Sequence, residues 1–181
     1  DLIHAGLQDL DGARTQFARL AADGMDEDRL RALLAALQKA CDPDVALRNL
    51  VDIINALISQ GRSLDEVLPD DRAFAQLVAV LGVSDAMGKF MRFRIDLVEA
   101  AAIDGCDSHL FNHDQRRAHV LGAVGADPAD HRAPTATKPL AEATTALRRT
   151  YRKQLAAIIA QDTMADDPVA LQPRISEELS D

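Results

Sequence analysis

The sequence predicts an all-α protein, an irregular multi-helix bundle of about six to eight helices with no sheet. Three observations carry this prediction. Aromatic residues make up only 3% of the 181 residues, with one Tyr and no Trp, so the side chains that strands favour are scarce. Apolar residues reach 48% and are dominated by Ala and Leu, enough for one buried core in a chain of this length. Those residues recur at three- and four-residue intervals, the period of a helix face.

In chain order, Asp26, Glu27 and Asp28 come just after Gly24 and put negative charge where a helix start favours it. Leu30, Leu33, Leu34 and Leu37 then form an inward stripe. Asp42 caps and Pro43 opens the next helix, whose stripe of Leu47, Leu50, Val51, Ile54, Leu57 and Ile58 runs to Gly61. A short turn over 64–68 is closed by Pro69, and Phe74, Leu77, Val78 and Leu81 mark a helix that ends at Gly82. Ser84 or Asp85 caps a segment carrying Met87, Phe90, Met91, Leu97 and Val98 to about Ile103, where Asp104-Gly105 breaks it. Another helix is expected over 114–124.

Residues 125–139 concentrate Pro, Asp, Thr and His without periodicity and read as a linker or ordered loop. Leu140 to Ala160 has neither Gly nor Pro, so a long helix is expected there, with Leu147, Tyr151, Leu155, Ile158 and Ile159 as its core-facing stripe. Pro168 and Pro173 punctuate the stretch beyond it, and 175–181 reads as a helix cut short. The expected organisation is a helical bundle over 1–124, the linker or loop over 125–139, and the long basic helix with the truncated start of the next over 140–181, together one compact unit. The sequence has no internal repeat or low-complexity tract.

Charge narrows the function classes. The 20 Lys and Arg stand against 29 Asp and Glu, a net charge of −9, which argues against nucleic acid or an anionic membrane surface as partner. Apolar runs such as Leu77 to Leu81 fall far short of the roughly 20 residues a spanning helix needs. The chain starts at Asp1 without a secretory pattern, so a cytoplasmic piece of a processed or longer chain is expected. Cys41 and Cys106 are too few for a disulfide framework or metal knuckle and read as reduced, buried thiols.

Candidate chemistry is sparse. His109 and His113 have the i, i+4 spacing that lets two imidazoles share a metal on a helix, with His119 nearby, but the Glu of a zinc-protease helix is missing and Asn112 reads as a cap that leaves His109 outside. Capping or surface histidines are the preferred reading. Gly82-Val83-Ser84-Asp85 superficially matches a Gly-Ser nucleotide loop, but no Asp-x-Asp pair succeeds it at a fitting distance, so it reads as a turn with an N-cap. The three acids at 26–28 could attract a divalent cation, yet the helix start already accounts for them. With no Gly-rich phosphate loop or nucleophile motif, no residue is assigned a catalytic, cofactor-binding or metal role.

One feature stands out on an acidic chain: Arg148, Arg149, Arg152 and Lys153, four bases within six residues of the long helix. At about 100° per residue, Arg149 and Lys153 should point away from the apolar stripe, with Arg148 and Arg152 flanking it. This basic ridge is the expected interdomain or partner contact, paired with the acidic tail, another domain or a partner, with a phosphate ligand as the lesser alternative.

The stretch Leu147-Arg148-Arg149-Thr150-Tyr151-Arg152-Lys153-Gln154-Leu155, continuing to Ile158-Ile159-Ala160-Gln161-Asp162, resembles the arginine-rich helix of the bifunctional glutamine synthetase adenylyltransferase/adenylyl-removing enzymes. Pro43-Asp44 with Ala46-Leu47 and Asn49-Leu50, then Ala79-Val80-Leu81-Gly82 with Ser84 and Ala86, and Gly125-Ala126-Asp127-Pro128 agree in order, covering most of the chain from about Asp42 onward. Arg94-Ile95-Asp96 departs from the family's frequent His-Pro-Glu. The resemblance implies a non-catalytic helical segment preceding the first, adenylyl-removing nucleotidyltransferase domain, in a parent that attaches AMP from ATP to a tyrosine of glutamine synthetase and removes it, with Mg²⁺, under a PII protein. It implies as partners the following domain, glutamine synthetase and PII. The family's catalytic Gly-Ser and Asp-x-Asp residues have no counterpart here, so the chain alone is expected to be inactive and without cofactor. A free-standing helical adaptor is the alternative.

Overall fold

A computed structural model describes residues 2–68, 70–99, 113–165 and 167–180, and among these residues ten helices and no strand are found. The first three helices are α1 (Leu10–Ala22), α2 (Glu27–Leu37) and α3 (Pro43–Ser59); α4 (Leu64–Val67) is a single turn. Next come α5 (Asp71–Val83), α6 (Asp85–Met91) and α7 (Ile95–Glu99), and α8 (His113–Ala123), α9 (Leu140–Met164) and α10 (Pro168–Ser180) complete the fold. Many of the starts are explained by local chemistry. The carboxylates of Asp9, Asp26, Asp42 and Asp70 each accept a backbone N–H of the first turn of the helix they precede, and Ser63 and Ser84 do the same with their hydroxyls. The Glu66 side chain accepts the Ser63 N–H in return, so the single turn of α4 is closed from both sides. Gly61 ends α3 at φ 68°, a left-handed conformation that lets the Arg62 N–H reach the Leu57 carbonyl.

Helix α5 is the centre. Phe74, Leu77, Val78, Val80 and Leu81 are fully buried and Ala73, Gln76, Ala79 and Gly82 nearly so, a helix covered all round where the spacing predicts one buried face. It is surrounded by α2, α3, α6 and α9. Two glycines set the close approaches. A Cβ at Gly82 would lie 3.0 Å from that of Ala40, and one at Gly88 would land on the side chain of Asn49, which is buried and donates to the Leu81 carbonyl at 3.2 Å. Helix α1 lies against α3 through Leu20 and an Arg19 bond to Asn55 of 2.7 Å, and the Asp44 carboxylate accepts the N–H groups of Gln8 and Asp9.

The structure agrees with the all-α expectation and differs in detail. Helix α1 is not foreseen, although Leu10, Ala13, Phe17 and Leu20 repeat at helical spacing before Gly24. The single helix expected from Ser84 to about Ile103 is two: α6 closes as the Phe93 N–H reaches the Phe90 carbonyl and the Arg94 N–H that of Met91, a tightened last turn. Pro168 opens α10 and Pro173 lies inside it, where a break is expected from the sequence. Cys41 is exposed, not buried, because it sits in the turn before the Asp42 cap. Pro69, Ile103, Asp104, Gly105, Cys106, His109 and Asn112 lie outside the described residues.

Residues 125–139 carry no helix and fold back on the end of α8. Arg117 donates to the carbonyls of Pro128 and Asp130, both at 2.7 Å, and Lys138 donates to the Ala123 carbonyl at 2.6 Å. Leu121, Val124, Ala126 and Ala143 form a small apolar cluster that joins α8 to the start of α9.

Candidate functional site

The long helix α9 carries the residues singled out from the sequence, and its expected core-facing stripe is split: Ile159 packs on the main core and Leu155 and Ile158 are half-buried, whereas the N-terminal members face outward. The expected core-facing residues Leu147 and Tyr151 are 39% and 61% exposed, and Leu140 is 84% exposed. The inward positions are small: Ala143 packs on the α8 end, and Ala156 and Ala160 are completely buried in the main core with Ile159 beside them. Taking about 100° per residue, Leu140, Thr144 and Leu147 fall within roughly 40° of Tyr151, whereas Ala156 and Ala160 lie about 140–180° away. Helix α9 packs against α5, and its completely buried positions in the main core are Ala156 and Ala160. Periodicity locates both stripes but does not tell which one meets the core.

This arrangement divides the basic ridge. Arg149, expected to point outward, donates from Nε to Asp96 of α7 at 2.7 Å. Asp96 also receives Arg94 through two bonds of 3.0 and 3.1 Å. Burial pushes the Asp96 carboxyl up, but hydrogen bonds and charge from Arg94, then from Arg149, outweigh it and hold the group below the usual carboxylate range. The Arg-Ile-Asp tripeptide at 94–96 is thus part of an ion-pair clasp between α7 and α9. Arg152 lies over the Phe90 ring of α6, 3.8 Å from its centroid, a cation–π contact. Lys153 is half-buried rather than projecting outward. Arg148 is exposed beside the Leu147 and Tyr151 stripe, and among the described residues no hydrogen bond or ion pair is found for it.

The other sequence candidates are absorbed by structure. Asp26 is the α2 cap, accepting the Arg29 N–H at 2.7 Å, and Glu27 and Asp28 both pair with Arg31. Ser84 accepts the Met87 N–H as the α6 cap at 3.2 Å. His113 and His119 lie on α8, with His109 outside the described residues, and among the described residues no group of three His, Cys, Asp or Glu is placed to hold a metal.

Sequence reasoning missed a cleft of about 400 Å³ whose lining includes Leu20, Met25, Ile54 and Ile58 together with several acids. Arg29 also lines it, largely buried, stacked 4.4 Å from the Phe74 centroid and donating to Asp71 at 2.7 Å and the Leu68 carbonyl at 2.5 Å. Asp65 lies 3.7 Å from the same guanidinium, and Asp23 pairs with Arg19. These carboxylates are committed to neighbouring cations, so the cleft holds no converging donor set. Among the described residues, no helix is long and apolar enough to cross a membrane.

The chain is 64% identical over all 181 residues to the bifunctional glutamine synthetase adenylyltransferase/adenylyl-removing enzyme of Bifidobacterium longum strain DJO10A, and the match spans 17% of that protein. It is 31% identical to the protein of the same name from Cutibacterium acnes, across the whole chain and 18% of that protein, and 32% identical to that of Leifsonia xyli, across 99% of the chain and 17% of that protein. No family model and no solved structure matches. The resemblance read from the arginine-rich helix therefore extends over the entire chain, including residues 1–41, which precede its first motif at Pro43.

Proposed function

We propose that this chain, homologous end to end to one segment of the bifunctional glutamine synthetase adenylyltransferase/adenylyl-removing enzyme, is a non-catalytic helical segment of such an enzyme. The observation that carries the reading is the 64% identity across all 181 residues, set against coverage of 17% of the relative. In this reading the parent attaches AMP from ATP to glutamine synthetase and removes it, using Mg²⁺, under control of a PII protein in the cytoplasm. The chain precedes the first, adenylyl-removing nucleotidyltransferase domain, is inactive alone, and touches neither nucleic acid nor membrane. Its partners are that domain, glutamine synthetase and PII.

The physical role is support. Helices α2, α3, α5 and α6 form a core on which α9 is held, and α9 turns the exposed part of the basic ridge to the rest of the parent or to its protein substrate. Of the ridge, Arg149 and Arg152 are engaged within the chain, so their contribution is to set the pose of α9, and Arg148 is the base turned to a partner. The gene tests the reading: the reading frame should continue past Asp181 into a Gly-Ser and Asp-x-Asp nucleotidyltransferase motif. A stop codon soon after Asp181 would overturn it and make the chain a free-standing adaptor.

A further inference from the structure

The outer face of α9 is built as one half of a helix–helix seam. Leu140, Thr144, Leu147 and Tyr151 are spaced four, three and four residues apart, the alternation of a coiled-coil interface. The three large apolar members are the exposed ones, at 84%, 39% and 61%. Arg148 occupies the position directly flanking such a seam, where charge selects the partner. A solvated helix of a finished surface has its polar side outward, and among the described residues nothing covers this face.

From this geometry we infer that the face formed by Leu140, Leu147 and Tyr151 is covered by an amphipathic helix with acidic residues flanking its apolar seam, supplied by the part of the parent polypeptide outside this chain. The inference rests on the segment reading above. Size argues for a tethered occupant. Three side chains cannot provide the roughly 800 Å² per partner that a stable contact between separate molecules uses. Within one polypeptide a high effective concentration removes that requirement. Charge argues against a second copy. Packing two such faces together supplies Arg148 with no acidic counterpart, only a second Arg148, and joins two chains that each carry a net charge of −9. The relatives supply the covering chain, since the match spans 17% of their length.

Tyr151 is the only tyrosine in the chain and sits on this exposed face, which provides a direct readout. The rate of Tyr151 nitration by tetranitromethane is followed by mass spectrometry of its peptide, in the 181-residue chain and in the complete parent polypeptide. Covered by a helix, Tyr151 should react about tenfold more slowly in the complete polypeptide. Arg148→Glu should restore most of the lost rate there while leaving the rate in the 181-residue chain unchanged. Equal rates in the two proteins overturn the inference. A rate in the 181-residue chain that falls as its concentration rises assigns the face to a second copy and also overturns it. The outcomes are separable from failure of the segment reading: a reading frame that stops near Asp181 defeats that reading, whereas a complete polypeptide with unprotected Tyr151 defeats only the docking.

Discussion

If α9 seats through its alanines, enlarging one of them should cost more than removing the largest side chain of the helix. Ala160 is completely buried, in the same cluster as Leu77, Val78 and Leu81. Ala160→Leu inserts three further carbon atoms where no exposed surface exists, an overpacking cost of about 1–3 kcal/mol. For a chain of this size each kcal/mol lowers the melting temperature by about 2–4 °C, so a fall of roughly 2–12 °C is expected. Tyr151→Ala removes a side chain that is 61% exposed and substitutes the best helix former, so its effect should stay within about 0.5 kcal/mol. Thermal unfolding of the 181-residue chain followed by circular dichroism, together with urea titration, measures both. The opposite pattern, with Tyr151→Ala costing about 3–5 kcal/mol and Ala160→Leu neutral, would mean that the large stripe faces the core.

Two further predictions concern the joints between helices. Asp96 clasps α7 to α9, and its carboxyl is held below the usual range, so its contribution is present above the ordinary carboxylate pKa and is lost as pH falls through the depressed folded-state value. Asp96→Asn should therefore destabilise the chain by about 1 kcal/mol at pH 7, and the gap to wild type should close in strongly acidic buffer; a pH-independent gap would place the effect elsewhere. Gly88→Ala puts a Cβ onto the buried Asn49 side chain and threatens its bond to Leu81, so urea denaturation should show a loss of about 1–3 kcal/mol, whereas Gly122→Ala, with open space at its Cβ, should not destabilise.

How far the sequence reaches is clearest in particular residues. Caps are local chemistry, so Asp26, Asp42 and Ser84 stand where the sequence places them, and Pro43 opens α3 as expected. Helix α5 is legible as a helix but not as the centre, because burial on all sides depends on which other helices surround it. The orientation of α9 is not legible for a related reason. Large apolar residues dominate a periodicity argument, yet the completely buried positions of α9 are Ala156 and Ala160, which such an argument passes over. The same error extends to the ridge: Arg149 reads as outward only when the large stripe is assigned inward. The clasp on Asp96 spans 53 residues, and no local spacing reveals it.

A supporting segment of an enzyme that removes AMP from glutamine synthetase has no such activity by itself and regains it only beside its catalytic domain. Release of AMP from adenylylated glutamine synthetase, with Mg²⁺ and phosphate, is therefore to be compared for three proteins: the 181-residue chain, a polypeptide extended through the next domain, and the complete parent. No release by the chain alone and release by both longer proteins is the expected outcome. Release by the chain alone would refute the supporting role, and a complete parent without activity on this substrate would refute the proposed function altogether.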